Sequence, residues 1–303
     1  MRWRGAAADR VSFAPRPGDD VDALLAPFQE YIRTQRLHES YLRAVWAEHA
    51  GLPPLVRGDG APALCSVQGV QADGYACNFF IPHNNTRLLA LDALPPHHAL
   101  VECYAACACA QGEGCTNRLV TRGPPTHTRV QTSASGLGLF ADEPIARGAF
   151  VCEYAGEVVS EAEAERRWQA RAQGRNYVMQ LREWRAGGAR AVQTCIDPSA
   201  RGNMARFINH KCPPLANLIV LPVRCDPPLC IEAPGVRRPM VFAAPPRAAL
   251  FAARAVAAGE ELAFDYGGAG EEGGAGEIAA GDGRTPCLCG SPRCRGWLPF
   301  TRM

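Results

Sequence analysis

The chain has 303 residues, of which 47% are hydrophobic, enough apolar material for one large or two modest domains. Its formal net charge of +2 at pH 7 gives no strong field toward nucleic acid, so we expect no strong intrinsic nucleic-acid binding. The sequence contains no apolar run long enough to cross a membrane and does not start with a signal-like segment, which predicts an intracellular protein without a membrane partner.

Residues 1–60 form a predicted N-terminal helical or accessory segment. Between Val21 and Trp46 apolar residues recur at helix-compatible spacings, interrupted by Pro27. We interpret this stretch as a helix that packs on the rest of the protein. A helix that binds a partner is the alternative interpretation.

Residues 61–122 contain closely spaced cysteines in a loop-rich stretch. In a reducing compartment the chain's 14 cysteines are poor candidates for disulfides, and clustered thiols indicate bound metal. Six thiolates can fill two zinc tetrahedra if two of them bridge, so the segment predicts one or two zinc ions. The candidate ligands are Cys65, Cys77, Cys103, Cys107, Cys109 and Cys115. Histidines could complete a site, although histidines in polar loops are more often solvated; they are His83, His97 and His98.

Residues 123–267 alternate short apolar runs with glycine, as in LGLFA, FVCEYAGEVV and LFAARAV, which is typical of many short strands. One helix is predicted from about Ser160 to Ala172, because Ser160 and Glu163 have the spacing of a capping box. The predicted fold class is therefore mostly β with few helices. Residues 268–284 are a predicted acidic, glycine-rich linker.

Residues 285–303 contain a second metal motif. Cys287, Cys289 and Cys294 form the pattern C-x-C-x4-C, in which the thiols are too close for three independent core positions. Structural zinc is tetrahedral, so a fourth ligand must come from elsewhere in the chain. Cys212, in RFINHKC, is the best candidate. One zinc ion is therefore predicted at this site.

Five motifs follow one another between Cys103 and Phe300: ECYAACACAQGEGCTNR, SASGLGLFADEPIARGAFVCEYAGEVVSEAE, RFINHKC, GEELAFDYG and CLCGSPRCRGWLPF. In this order they resemble the pre-SET, SET and post-SET segments of histone lysine methyltransferases. The resemblance implies a SET-domain pseudoknot of small β-sheets, flanked by zinc-binding pre-SET (61–122) and post-SET (285–303) segments. It also implies methyl transfer from S-adenosylmethionine to a histone lysine.

The resemblance also implies roles for individual residues. Tyr266 matches the catalytic tyrosine, Tyr177 matches an aromatic residue that borders both cofactor and lysine channel, and Phe264 matches a position that sets the number of methyl groups. Without the resemblance, Tyr266 would be interpreted as a core strand residue, and the glycine motif Gly136-Leu137-Gly138 would be interpreted as a hairpin turn. The implied cofactor-binding residues are Gly136, Leu137, Gly138, Tyr177, Arg206, Asn209, His210 and Trp297.

The implied partners are the histone H3 tail and the nucleosome, and the implied location is the nucleus and the chromosome. The target expected from the resemblance is position 36 or 4 of histone H3, with position 9 less favoured.

Three departures from the family pattern leave a second hypothesis open, a catalytically inactive SET domain that binds chromatin as a scaffold. Lys211 stands where the family usually has serine, the run after Cys212 is longer than usual, and the pre-SET segment has fewer cysteines than the full pattern. We expect Lys211 to pack its stem near the zinc site and to turn its amine to solvent.

Overall fold

The computed structural model describes the chain in several stretches, and short β-strands dominate them. Among these residues there are three α-helices. The mostly β fold class with few helices is therefore confirmed. No helix of these stretches has both the length and the apolar character needed to cross a membrane. The described residues are 9–14, 16–17, 19–20, 28–49, 80–83, 86–94, 100–103, 117–170, 176–184, 191–227, 229–231, 240–267 and 285–299.

The secondary structure consists of strands with few intervening helices. The strands are β1 (Val11–Ala14), β2 (Glu30–Tyr31), β3 (Arg36–Leu37), β4 (Phe80–His83), β5 (Thr86–Leu89), β6 (Leu100–Val101), β7 (Thr128–Ser133), β8 (Gly136–Ala141), β9 (Phe150–Glu153), β10 (Glu157–Val159), β11 (Met179–Trp184), β12 (Ala191–Asp197), β13 (Arg201–Gly202), β14 (Asn209–His210), β15 (Leu218–Arg224), β16 (Leu229–Ile231), β17 (Met240–Phe242), β18 (Arg247–Ala252) and β19 (Ala263–Phe264). The helices are α1 (Glu39–His49), α2 (Leu119–Arg122) and α3 (Glu161–Gln169). Short 3-10 turns cover Leu91–Ala93 and Met204–Phe207.

The strands form three main sheets. In the first, β8 is antiparallel to β7 and β1 is parallel to β7. The second has the order β11, β12, β10, β3. The third has the order β14, β19, β15, β18, β9, and β6 pairs with β15 outside this path. This third sheet carries two of the motifs, RFINH and FDYG, on adjacent strands.

Hydrophobic clusters cover both faces of the third sheet. Val151 and Leu250 belong to the main cluster, whereas Phe150 and Phe251 belong to a second one. Successive side chains of a strand point to opposite faces, so both faces of β9 and β18 are buried. This explains why the two strands, apart from Glu153 and Arg247 at their ends, are continuous apolar runs and not alternating ones.

The described part of the N-terminal segment contains three short strands before its one helix, whereas helix was predicted between Val21 and Trp46. The helical prediction is correct for α1 but wrong for the stretch from Phe28 to Leu37, which holds β2 and β3. Each strand of the segment pairs with a later strand: β1 with β7, β2 with β13, and β3 with β10. Phe28, Tyr31 and Ile32 are buried in this extended form. Tertiary pairing therefore outweighs the helical spacing of the apolar residues.

Helix α3 begins where its capping residue predicts. The Ser160 hydroxyl accepts the backbone N–H of Glu163 at 3.2 Å, which satisfies one free donor of the first turn. The Glu163 carboxylate does not complete a capping box, because it accepts from Arg166 and Arg167 at 2.7 Å instead. Those ion pairs, the Arg166 hydrogen bond foremost, lower the pKa of Glu163 to about 2.

Candidate active site

The centre of the site lies where β14 and β19 run side by side. The two strands are parallel, and His210 is directly opposite Phe264. Tyr266 follows β19 and is attached to the β14 side at two points. Its backbone N–H donates to His210 Nδ1 at 3.1 Å, and its hydroxyl donates to the Ile208 carbonyl at 2.7 Å. Strand pairing thus joins RFINH and FDYG, which are distant in the sequence.

Aromatic rings cluster at this junction, and we call this cluster the aromatic pocket. The Phe264 ring is 4.8 Å from the Tyr266 ring and 6.3 Å from the Tyr154 ring, measured between centroids. The Tyr154 hydroxyl donates to the Tyr177 carbonyl at 2.7 Å. Burial raises the pKa of Tyr154 well above its ordinary value, so its phenol stays neutral. The pocket therefore combines apolar ring surface with neutral hydroxyl groups.

The glycine motif at the start of β8 approaches the same junction. Gly136 has φ +101°, a backbone conformation that favours glycine. A Cβ added to Gly138 would lie 2.7 Å from Glu261 Oε1, so a side chain there would displace the Glu261 carboxylate. The Asn209 amide donates to the Leu137 carbonyl at 3.1 Å and to Glu261 Oε1 at 2.8 Å. These contacts connect β14 to the β7–β8 hairpin, which carries the glycine motif and is called the glycine hairpin below.

The Arg206 guanidinium lies among three aromatic rings. Its Cζ atom is 4.5 Å from the centroid of the Tyr177 ring, 4.8 Å from that of Phe28 and 4.9 Å from that of Phe207. Arg206 is buried, so these cation–π contacts are largely shielded from water. Phe28 comes from the N-terminal segment, and that segment is therefore part of the wall of the site.

His210 is buried and links the aromatic pocket to the cysteines. Desolvation lowers its pKa, which favours the neutral ring. Because Nδ1 accepts the N–H of Tyr266, the proton belongs on Nε2, and Nε2 is 3.2 Å from Cys212 Sγ. Position 210 thus contacts both the tyrosine and the first predicted zinc ligand.

Four cysteines converge next to His210. The sulfur atoms of Cys212, Cys287, Cys289 and Cys294 all lie within 4.8 Å of one another. Backbone N–H groups support the thiolate form: Ser291 donates to Cys289 Sγ at 3.4 Å. Burial raises the pKa of Cys289, but hydrogen bonds from the backbone of Cys212 and Ser291 outweigh it and bring the value to about 7. The four thiols fit a closed, tetrahedral zinc site.

Comparison with known proteins identifies the family. A model of the SET domain matches residues 136–267. The probable histone-lysine N-methyltransferase set-23 of Caenorhabditis briggsae is 37% identical over 204 residues, which cover 67% of this chain and 73% of that protein. The chain belongs to the SET-domain histone-lysine N-methyltransferases. It is therefore an S-adenosylmethionine-dependent protein-lysine methyltransferase.

Other SET-domain relatives agree with this assignment. The histone-lysine N-methyltransferase SETMAR of Rattus norvegicus is 39% identical over 209 residues, which cover 66% of this chain and 58% of that protein. The methyltransferase domain of human SETMAR superposes with a TM-score of 0.59 at 27% identity, covering 96% of this chain and 94% of that one. The Neurospora SET protein DIM-5 shares the fold, with a TM-score of 0.59 at 22% identity.

Most of the predicted SET-domain residues meet at the junction. The structure brings together Gly136, Leu137, Gly138, Tyr177, Arg206, Asn209, His210, Phe264 and Tyr266. Trp297 lies in the post-SET stretch, is 41% exposed, and pairs through its backbone with Pro286. Its covering of the cofactor stays a prediction.

The pre-SET metal ligands are mostly not described. Cys103 is buried, and the Asn117 amide lies 3.5 Å from its sulfur. The remaining candidates, Cys65, Cys77, Cys107, Cys109 and Cys115, lie outside the described residues, as do His97 and His98. One or two zinc ions in this segment therefore stay a prediction.

Two features of the site were not anticipated from the sequence. Phe28 was assigned to a helix, and nothing in its local pattern indicates a contact with Arg206. Lys211 was expected to extend its amine into solvent, but Nζ lies 3.0 Å from Glu261 Oε2. The Glu261 carboxylate, which also accepts from Asn209, supplies a negative charge that holds the ammonium group.

Proposed function

We propose that this enzyme methylates a lysine of the histone H3 tail in nucleosomes, at position 36 or 4, with position 9 less favoured. Nucleus and chromosome are the corresponding location. Histone lysine is the substrate class in the names of the set-23 and SETMAR relatives. A structure of KRYPTONITE holds an H3(1–15) peptide, so an H3 tail is a ligand of at least one protein with this fold.

The observation that carries the proposal is the aromatic pocket at the β14–β19 junction. Phe264, Tyr154 and Tyr266 make ring contacts there, and the glycine hairpin is tied to the same strands through Asn209. We assign Tyr266 and Tyr177 as the catalytic residues. Aromatic rings next to a glycine hairpin suit a long lysine side chain on one side and a nucleoside cofactor on the other.

The cofactor site is formed by backbone that can approach closely and by aromatic side chains. We assign Gly136, Leu137, Gly138, Tyr177, Arg206, Asn209, His210 and Trp297 to it. Tyr177 already bears the Arg206 guanidinium on its ring face, and Trp297 offers an exposed ring. Such faces accept a cationic sulfonium or stack on adenine. S-adenosylmethionine supplies the methyl group when it is bound there.

Methyl transfer requires a neutral, aligned lysine amine. A free lysine side chain has a pKa of about 10.4 and is protonated at neutral pH, so its amine must lose a proton before it attacks the methyl group. The apolar rings of the pocket favour the neutral amine by desolvation. Because its proton is donated to the Ile208 carbonyl, the Tyr266 hydroxyl keeps lone pairs that can accept from the amine and orient it. Alignment of this kind contributes on the order of 7–11 kcal/mol to rate enhancement.

Zinc has a structural role in this proposal. Cys212, Cys287, Cys289 and Cys294 hold one ion, and the pre-SET cysteines hold one or two more. A closed four-thiolate site leaves no position for substrate, so the ion fixes the post-SET stretch and takes no part in the chemistry.

The proposal is tested with recombinant nucleosomes and labelled cofactor. Wild-type protein should label H3, and replacement of H3 lysine 36 or lysine 4 by arginine should remove the label, whereas replacement of lysine 9 should not. Tyr266→Phe, which removes one hydroxyl, should lower kcat with cofactor affinity retained. Cofactor binding without transfer to any histone would contradict the proposal and support the inactive scaffold.

A further inference from the structure

A side-chain ion pair joins the post-SET stretch to the catalytic strand next to the cysteine cluster. Arg295 Nη1 donates to Asp265 Oδ1 at 2.9 Å, and Nη2 pairs with Asp265 Oδ2, so the contact is bidentate. Asp265 immediately precedes Tyr266, and Arg295 immediately follows Cys294. The pair therefore connects a residue next to the tyrosine with a residue next to a predicted zinc ligand.

The surroundings of the pair are shaped to hold it. The Asp265 side chain is 13% exposed and the Arg295 side chain 30%, so both are partly shielded from water. Gly267 donates its N–H to Asp265 Oδ1 at 3.1 Å. A Cβ at Gly267 would lie 2.9 Å from Arg295 Nη1, so the glycine leaves room for the guanidinium. Partly buried bidentate pairs with such support are stronger than ordinary surface ion pairs.

Two further attachments of the post-SET stretch involve the loop after β14. Cys212 joins the cysteine cluster, and the Ser291 hydroxyl donates to the Pro213 carbonyl at 2.7 Å. Both contacts are made to the loop after β14. Arg295 lies at the opposite end of the described stretch, and its backbone also donates a hydrogen bond to Cys212. The Asp265 pair adds a side-chain contact that holds this end beside Tyr266, where Pro299 also lies near Gly267.

We propose that Asp265 and Arg295 are positioning residues that latch the post-SET stretch beside the active site, in addition to the cysteine cluster. The ion organises the cysteine loop, whereas the ion pair sets where residues 295–299 lie relative to Tyr266. Loss of the pair should leave the zinc bound and open the cofactor side of the pocket. This inference rests on the proposed function, because it assumes that the post-SET stretch completes the cofactor site.

The experiment compares Arg295→Gln, Arg295→Lys and Asp265→Asn with Arg293→Gln, a matched control on an exposed arginine of the same stretch. Three quantities are measured on the full chain: zinc content, the Kd for S-adenosylmethionine, and hydrogen exchange in peptides that cover residues 263–267 and 295–299. Arg295→Gln should retain zinc, weaken cofactor binding about tenfold, and speed exchange in both peptides. Arg295→Lys keeps the charge without the bidentate geometry and should fall between wild type and Arg295→Gln.

A double-mutant cycle distinguishes a latch from two separate structural roles. The variant with both Asp265→Asn and Arg295→Gln should bind S-adenosylmethionine no more weakly than the single variant with the lower affinity. Each change already breaks the same contact. Wild-type exchange and affinity in Arg295→Gln, or loss of zinc from it, would overturn the inference. If wild-type protein binds no cofactor, the proposed function fails, and the exchange comparison still decides whether the latch exists.

Discussion

At the scale of single residues, the site depends on side chains that are held neutral and fixed. Tyr266 is attached to β14 through both its backbone and its hydroxyl, and it remains 40% exposed at the rim of the pocket. Tyr154 and His210 are kept in their neutral forms by burial. The described ring contacts of Phe264 are with Tyr154 and Tyr266. Such a pocket favours a neutral amine by desolvation.

Phe264 is the residue that we propose limits the room for a methylated amine. Its side chain is only 7% exposed and contacts the rings of Tyr154 and Tyr266. Phe264→Tyr adds a hydroxyl inside the pocket and should shift products toward monomethyl-lysine without removing activity. Mass spectrometry of a methylated H3 peptide measures the distribution. An unchanged distribution would mean that other residues set the product.

Lys211 is the only lysine in the sequence and therefore the only possible site of lysine self-methylation. Its ammonium group is paired with Glu261, and a charged amine is not a nucleophile. Incubation of the pure protein with labelled cofactor should leave it nearly unlabelled while histone H3 is labelled. Self-labelling that disappears in Lys211→Arg would show that the ion pair opens and that this lysine reaches an active site.

At the scale of elements, the site is assembled from short pieces that are not stable alone. Strands β14 and β19 have two residues each and gain their stability from the neighbours β15 and β18. The post-SET stretch has few internal hydrogen bonds, such as that from Cys287 N–H to the Gly296 carbonyl at 2.9 Å. A stretch of this kind requires an added cross-link, which a zinc ion held by the four cysteines would supply.

Removal of one thiol should therefore unfold the post-SET stretch. In Cys289→Ser we expect loss of one zinc equivalent, weaker binding of S-adenosylmethionine and loss of methyl transfer, because the stretch that carries Trp297 is released. Zinc analysis and calorimetric cofactor binding measure the effects. Cys195→Ser, which changes a buried cysteine outside the cluster, is the control and should retain the metal. A fully active Cys289→Ser protein with its zinc intact would refute the assignment.

At the scale of the whole molecule, the N-terminal segment is part of the catalytic fold. It adds β1 to the sheet of the glycine hairpin, pairs β3 with β10, and places Phe28 on Arg206. Glu153, in β9, joins this segment to the core. Its carboxylate accepts from the Gln35 N–H at 2.8 Å and from the Thr34 hydroxyl at 3.0 Å, and Arg247 lies 3.3 Å away.

The stability of this junction should depend on pH. Burial raises the pKa of Glu153 to about 7, against the opposing charge of Arg247. A folded pKa above the unfolded one stabilises the protein fully below the unfolded pKa, and that stabilisation is lost as pH rises toward about 7. The free energy of unfolding of wild type should thus fall by roughly 3 kcal/mol more than that of Glu153→Gln between about pH 4.5 and 7. Denaturant titrations across this range measure how the free energy of unfolding changes with pH in both proteins. The same pH dependence in both would contradict the raised pKa of Glu153.

Local patterns in the sequence determined the family, the fold class and the metal motif. The C-x-C-x4-C spacing was enough to predict three thiols at one ion, since covalent geometry keeps neighbours in sequence close in space. The capping serine of α3 was likewise predictable, because its partner is three residues away. The motifs RFINH and FDYG indicated which residues form the site.

Contacts between distant residues were decided by the tertiary structure alone. The extended course of Phe28–Leu37 followed from strands that lie far along the chain, whereas the local spacing favoured a helix. The pairs Asp265–Arg295 and Lys211–Glu261 have no sequence signal, because charged residues are common and their partners depend on which strands are adjacent. The periodic spacing of apolar residues indicates which face of an element is buried, but it does not indicate which other element covers that face.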